Sequence, residues 1–287
     1  MVSLVTPQSV VTKYLALQQA IASGKVNIDS LLKGETALDD VLQESPILND
    51  GSASANVFNA QGESDCEINK CLDYISTKIP EDFLPDIIRL FSAIAAKDLF
   101  TAKHSARVCM YSTKIGESCN LNEEEKTALI IGSLLHDIGK LGFPDYLFQN
   151  VDELTNNEFL IIKNHPEMGE EILKGEPLST IPKLLIPVRS HHESINGNGY
   201  PDGLKGLRIP LLAKIVKLAD CLDAMTVQRT YNTIFPIDIA LQKIHDARNK
   251  EFDSDLITIL EIITEEMLRG EAYQETTKIS QEQEQTH

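Results

Sequence analysis

Apolar residues recur along this chain at intervals of three and four, and no stretch alternates convincingly at intervals of two. Val10, Val11, Tyr14, Leu17 and Ile21 form a helical stripe. It follows Thr6-Pro7, a cap residue with proline at the first helical position, and ends before Gly24. A second short helix is expected over Asp29 to Gln43, and Asn49 to Ser64, rich in Gly, Ser, Ala and Asn, reads as a linker. From about Cys66 the pattern is helix after helix. Pro85 to Ala96 carries Ile87, Ile88, Leu90, Phe91 and Ile94. Asn122-Glu123-Glu124-Glu125 is a capping box with acids in the first turn, and its apolar run leads straight into His136-Asp137. Thr155-Asn156-Asn157-Glu158 is a second capping box, predicted to start a helix that ends near His165-Pro166. Pro210 opens a long helix through Leu222, with Ile215, Leu218, Ala219 and Leu222 facing inward. The expected class is all-α.

The pattern divides the chain into an N-terminal helical region with its linker (1–80), a main helical domain (81–270) and a Gln- and Glu-rich tail (271–287) expected to be disordered. The amphipathic N-terminal helices are expected to regulate or dimerise the domain, making a homodimer or signalling proteins the expected partners. Composition changes little here: 42 % hydrophobic and 24 % charged residues over 287 positions suit a globular protein. Charge excludes more. A formal net charge of −17 argues against binding a nucleic-acid polymer over a wide surface. It still allows a small phosphate substrate, because bound metal ions can reverse the field inside one pocket. No apolar run reaches the roughly 20 residues needed to cross a bilayer, and Met1 to Gly24 lacks the marks of a signal peptide. Cys66, Cys71, Cys109, Cys119 and Cys221 contain no CxxC pair, and their odd number argues against a disulfide framework. The expectation is a cytoplasmic protein without membrane insertion.

Candidate chemistry lies in the histidines. Five of the seven, His104, His136, His165, His191 and His192, fall in the middle of the chain, four of them near predicted helix ends. His245 and His287 have no such company and read as ordinary residues. Asp220 sits in the apolar run Ile215-Val216-Lys217-Leu218-Ala219, where a carboxylate is costly to bury unless a partner neutralises it. A metal ion is that partner. Imidazole nitrogens with carboxylate oxygens suit iron, manganese, zinc or nickel. With Asp137, the candidates number more than one tetrahedral site uses, and two ions sharing Asp137 would employ them.

These residues also resemble a known family. His136-Asp137-Ile138-Gly139-Lys140 is similar to the signature of HD-superfamily phosphohydrolases. His191-His192-Glu193, followed by Gly197-Asn198-Gly199-Tyr200-Pro201-Asp202-Gly203-Leu204-Lys205-Gly206, resembles the extended HD-GYP signature. The likeness continues through Ile209-Pro210, Ala219-Asp220, Asp223-Ala224 and Arg229-Thr230-Tyr231, covering roughly Pro85 to Glu265. It implies a helical HD-type phosphohydrolase domain that hydrolyses a cyclic dinucleotide, chiefly cyclic di-GMP. It also implies His104, His136, Asp137, His165, His191, His192 and Asp220 as metal ligands. Lys140 would contact the substrate phosphate, Gly199, Tyr200 and Pro201 would form pocket wall, and Arg229 would bind the phosphate or guanine end.

The sequence departs from that pattern in places. Lys97 and Phe100 lie in the stretch where three-metal members carry a glutamate, so two divalent transition-metal ions, iron or manganese, are expected rather than three. Asn196 and Asn232 replace an acidic and a basic residue of the pattern, and Pro187 is expected to kink or delay the helix leading to His191. In the implied chemistry, two ions about 3.5–4 Å apart share a hydroxide and clamp the phosphoryl oxygens, with Asp137 and Lys140 as the catalytic side chains. Two further functions fit the same residues: another HD phosphohydrolase acting on a mononucleotide or alarmone, and a non-catalytic metal- or nucleotide-binding sensor.

Overall fold

A computed structural model describes residues 7–34, 66–144, 147, 155–227 and 234–265. The expected linker 49–64, the second half of the 29–43 helix, the tail, and the predicted site or motif residues Arg229, Thr230, Tyr231 and Asn232 lie outside the described residues. Within them the secondary structure is helical, with a single isolated bridge between Arg248 and Phe252.

The order is α1 (Pro7–Ala22), α2 (Ile28–Leu32), α3 (Cys66–Ser76), α4 (Leu84–Lys97), α5 (Leu99–Glu117), α6 (Glu123–Leu134), α7 (Asn156–Ile162), α8 (His165–Lys174), α9 (Leu185–Ser190), α10 (Leu211–Thr226) and α11 (Ile237–Asp246). A further helical stretch covers 254–265. Short 3₁₀ turns occupy Ile138–Gly142 and Gly206–Arg208. Both predicted capping boxes form: the Asn122 carboxamide accepts from Glu125 N at 2.9 Å, and the Thr155 hydroxyl from Glu158 N at 3.3 Å, each glutamate reaching back to the cap.

Two details differ from the sequence expectation. The helix begun after Thr155 stops at Ile162, and His165 begins α8 with Pro166 in its first turn, where a missing N–H costs nothing. Pro187 likewise sits in the first turn of α9, so it delays that short helix rather than bending a longer one.

One apolar core runs through the described residues, with Ile115, Ile131, Leu134, Leu135, Ile138, Ile215 and Leu222 at its centre. Tyr14 and Leu17 of α1 and Leu72 and Ile75 of α3 are buried in that same core, so the N-terminal helices pack onto the domain. The buried Arg89 guanidinium fastens α2 to α4 by donating to Leu31 O at 2.5 Å and pairing with Glu176.

Two close approaches set the geometry below the site. A Cβ on Gly139 would lie 1.9 Å from His165 O, so only glycine lets the 138–142 turn cross the start of α8. Lys97 secures the far end of that turn, donating to Leu141 O at 3.0 Å and Phe143 O at 2.5 Å.

Candidate metal centre

Five separate stretches deliver the seven predicted ligands to one place. His104 comes from α5, His136 and Asp137 from the end of α6, His165 from the start of α8, His191 and His192 from the end of α9, and Asp220 from α10. Helix ends supply five of the seven, where side chains project past the last packed turn, while His104 and Asp220 come from within α5 and α10.

The ligand atoms fall into two groups, His104 with His136 and Asp137, and His165 with His191 and His192. Within each group the atoms lie within 4.8 Å of one another. Asp137 faces both: Oδ1 is 3.3 Å from His165 Nε2, while Oδ2 is 3.5 Å from His136 Nε2 and 3.9 Å from His104 Nε2. Asp220 Oδ1 joins the first group, 3.1 Å from His104 Nε2.

The imidazoles are held in one tautomer. Nδ1 of His136 donates to Ser133 O at 2.7 Å, that of His165 to Ile162 O at 2.8 Å, and that of His191 to Pro187 O and Val188 O at 2.9 Å. A carbonyl can only accept, so each Nδ1 carries the proton and each Nε2 presents a lone pair to the centre. His136 Nε2 is buried without any partner, and His165 Nε2 faces His191 Nε2 at 3.1 Å, lone pair toward lone pair. Such an arrangement is unfavourable until a cation accepts those electrons. The donor set therefore fits divalent transition metals, and its two groups with a shared carboxylate fit a pair of them.

Electrostatics agree. Burial pushes the His165 pKa down to about 4 and that of His192 to about 3, keeping both neutral as ligation requires. Burial alone would raise Asp137, but Lys140 and the surrounding imidazoles hold it well below the usual carboxylate range. Asp220 is depressed likewise, against its burial, by His104.

Two residues without a role assigned from sequence complete the site. Asp223, buried in α10, accepts from His104 Nδ1 at 2.6 Å and from Arg107 Nε at 2.6 Å, so His104 leans on a carboxylate where His136, His165 and His191 lean on carbonyls. Glu193, 1 % exposed, accepts from Asp202 N and Leu204 N, both at 2.8 Å, and clamps the Gly-Tyr-Pro loop. Their motif positions were legible; their contacts were not.

The loop itself explains its glycines. Gly197, Gly203 and Gly206 have positive φ, and a Cβ on Gly199 would meet Glu193 Cα and Ser194 N at 2.4 Å. Asn196 does what an aspartate would do here, accepting from Asn198 N at 2.8 Å. Tyr200, in a cis peptide with Pro201, stacks on His192 with ring centroids 4.6 Å apart and planes at 18°. It packs on a ligand rather than standing free. Lys140 Nζ lies 2.5 Å from Asp137 Oδ2. A cavity of about 300 Å³ opens over His104, Asp137, Lys140, His192 and Asp220, with Lys217 and Glu251 on its wall. His245 stands apart, paired with Glu261 at 3.0 Å.

A family model for the HD domain matches residues 89–256. The chain belongs to the HD domain family. Its histidine, HD and Gly-Tyr-Pro segments are those of the HD-GYP type. This HD chain is 35 % identical over 184 residues to the cyclic di-GMP phosphodiesterase response regulator RpfG of Xanthomonas campestris, covering 64 % of this chain and 47 % of that protein. It is 34 % identical to a cyclic di-GMP phosphodiesterase of Thermotoga maritima, covering 62 % and 48 %. To the 3'3'-cGAMP-specific phosphodiesterase 3 of Vibrio cholerae it is 32 % identical, covering 66 % and 42 %. The HD chain thus spans a little under half the length of each of these relatives.

Proposed function

We propose that this chain is a cyclic-dinucleotide phosphodiesterase, with cyclic di-GMP its first candidate substrate. Two iron or manganese ions would be held, one by His104, His136, Asp137 and Asp220, the other by His165, His191, His192 and Asp137. The observation that carries this reading is Asp137, which turns one oxygen to each ligand group. The names of the three relatives support the substrate class.

When bound, such a pair supplies Lewis acidity, making water a nucleophile at neutral pH and withdrawing charge from phosphoryl oxygens. The chain's own residues do the rest. The carbonyl-locked imidazoles keep their lone pairs aimed inward, so ligation requires no rearrangement. Lys140, against Asp137 and partly exposed to the cavity, is placed to neutralise a non-bridging phosphate oxygen as charge builds. Gly199 to Pro201 form wall beside His192, and Arg229 is assigned to the substrate's phosphate or guanine end. Cys71, Cys109 and Cys119 are unbridged thiols, which supports a reducing, cytoplasmic setting. Among the described residues no helix is long and apolar enough to cross a membrane.

The test is metal analysis of anaerobically purified protein, with the same sample assayed on several cyclic dinucleotides. His136→Ala and Asp137→Ala are expected to lose both metal and turnover. Turnover retained in either refutes the assignment, and wild-type metal binding without turnover on any cyclic dinucleotide leaves a sensor or an HD phosphohydrolase of a mononucleotide or alarmone.

A further inference from the structure

The cavity beside the centre has a second half that the ligands do not account for, walled by Lys217, Cys221, Ala224, Glu251 and Phe252. Lys217 stands three residues before Asp220 on α10, so both project from one helical face, with Cβ atoms about 5–6 Å apart. Its ammonium lies 5.9 Å from the centre of the Phe252 ring, and no carboxylate or hydrogen-bond acceptor among the described residues partners it. The contrast along α10 is informative. Lys214, one turn earlier, is satisfied by Asp253 at 2.9 Å. Burial pushes Lys217 below the ordinary lysine pKa, more than Asp220 and Glu251 pull it back. A half-buried ammonium with no directly paired carboxylate, facing a cavity, can take an anion.

Lys140, held against Asp137 at 2.5 Å, is the residue assigned above to the phosphate at the ligands. A cyclic dinucleotide carries two phosphodiesters in one small ring, and a mononucleotide ester carries one. We propose that Lys217 binds the phosphodiester that is not being cut, and so selects substrates with two phosphates over substrates with one. This rests on the phosphodiesterase reading above and names a specificity residue within it.

The experiment compares two substrates on the metal-loaded full chain: cyclic di-GMP, with two phosphodiesters, and bis(p-nitrophenyl) phosphate, with one. The quantity read is the ratio of their kcat/KM values. Lys217→Met is expected to lower that ratio about tenfold, mainly through KM for the dinucleotide, as befits loss of one charge-assisted contact. Lys217→Arg is expected to recover most of it. A ratio within twofold of wild type overturns the inference, whether both activities persist or both fall, since a structural role would depress both together. Wild-type protein that cleaves the nitrophenyl ester but no cyclic dinucleotide refutes the underlying reading instead, and the inference falls with it.

Discussion

Asp223→Asn separates the support of a ligand from the ligand itself. The Asp223 carboxylate receives three bonds, from His104 Nδ1 at 2.6 Å and from Arg107 Nε and Nη2 at 2.6 and 3.1 Å. Both neighbours are donors, and an amide has one acceptor oxygen. If the amide nitrogen faces Arg107, two donors meet and His104 keeps only a neutral acceptor. If it faces His104, the ring must accept on Nδ1 and carry its proton on Nε2, which abolishes the lone pair aimed at Asp220 and Asp137. The first arrangement exchanges a charge-assisted bond of about 1.5–3 kcal/mol for a neutral one of about 0.5–1.5 kcal/mol. The difference is about 1–2 kcal/mol, in line with the 10- to 100-fold loss of affinity typical when such supporting residues are changed. Chelator-competition titration of apo protein should therefore give metal binding at the His104 group weakened about 10-fold or more. Affinity within threefold of wild type, in a variant with unchanged circular dichroism, would refute the role of Asp223.

Three other outcomes are expected. Glu193→Gln leaves one acceptor for two loop N–H groups, so kcat/KM should fall about tenfold with metal stoichiometry intact; coupled loss of metal in elemental analysis would count against a loop-clamping role. Gly139→Ala forces a carbon within 1.9 Å of His165 O, and thermal melts should show at least about 3 kcal/mol of destabilisation, whereas a melt like wild type would mean that the turn does not cross α8 so closely. Stripping the proposed metals should lower the melting temperature by about 5–10 °C, because the facing lone pairs of His165 and His191 would be left without a cation; an unmoved melt would show that the cluster tolerates being empty.

The cluster of candidate ligands was legible because histidine is scarce in this chain and aspartate is rare inside apolar runs, so His136-Asp137, His191-His192 and Asp220 stand out against a helical background. The caps were legible because Asn122 and Thr155 act on residues three positions away. What the pattern left out acts over distance or through the backbone. Asp223 meets a histidine 119 positions earlier, and Glu193 works through amides whose side chains are irrelevant to the bond. Lys217 reads from sequence as an ordinary polar position in an amphipathic helix; only the cavity shows that it lacks a partner. The stacking of Tyr200 on His192 was not legible either, because it depends on how the loop folds back.

A chain with a formal charge of −17 must still admit an anionic substrate, and the resolution lies in range. Asp137 and Asp220 would cancel about half the charge of the two proposed divalent ions, and Lys140 and Lys217 outweigh Glu251 in what remains, so the loaded cavity would be positive. The chain as a whole carries the opposite sign. At about 0.01 M salt the screening length is about 30 Å, and an approaching dinucleotide feels the repulsive whole. At about 0.15 M it is about 8 Å, and the substrate feels little beyond the cavity. Raising potassium chloride across that interval should therefore increase kcat/KM, by about threefold or more, with kcat little changed. A steady fall with salt would mean that attraction governs the approach even at long range, and that the positive region extends well past the lysines and ions assigned to it.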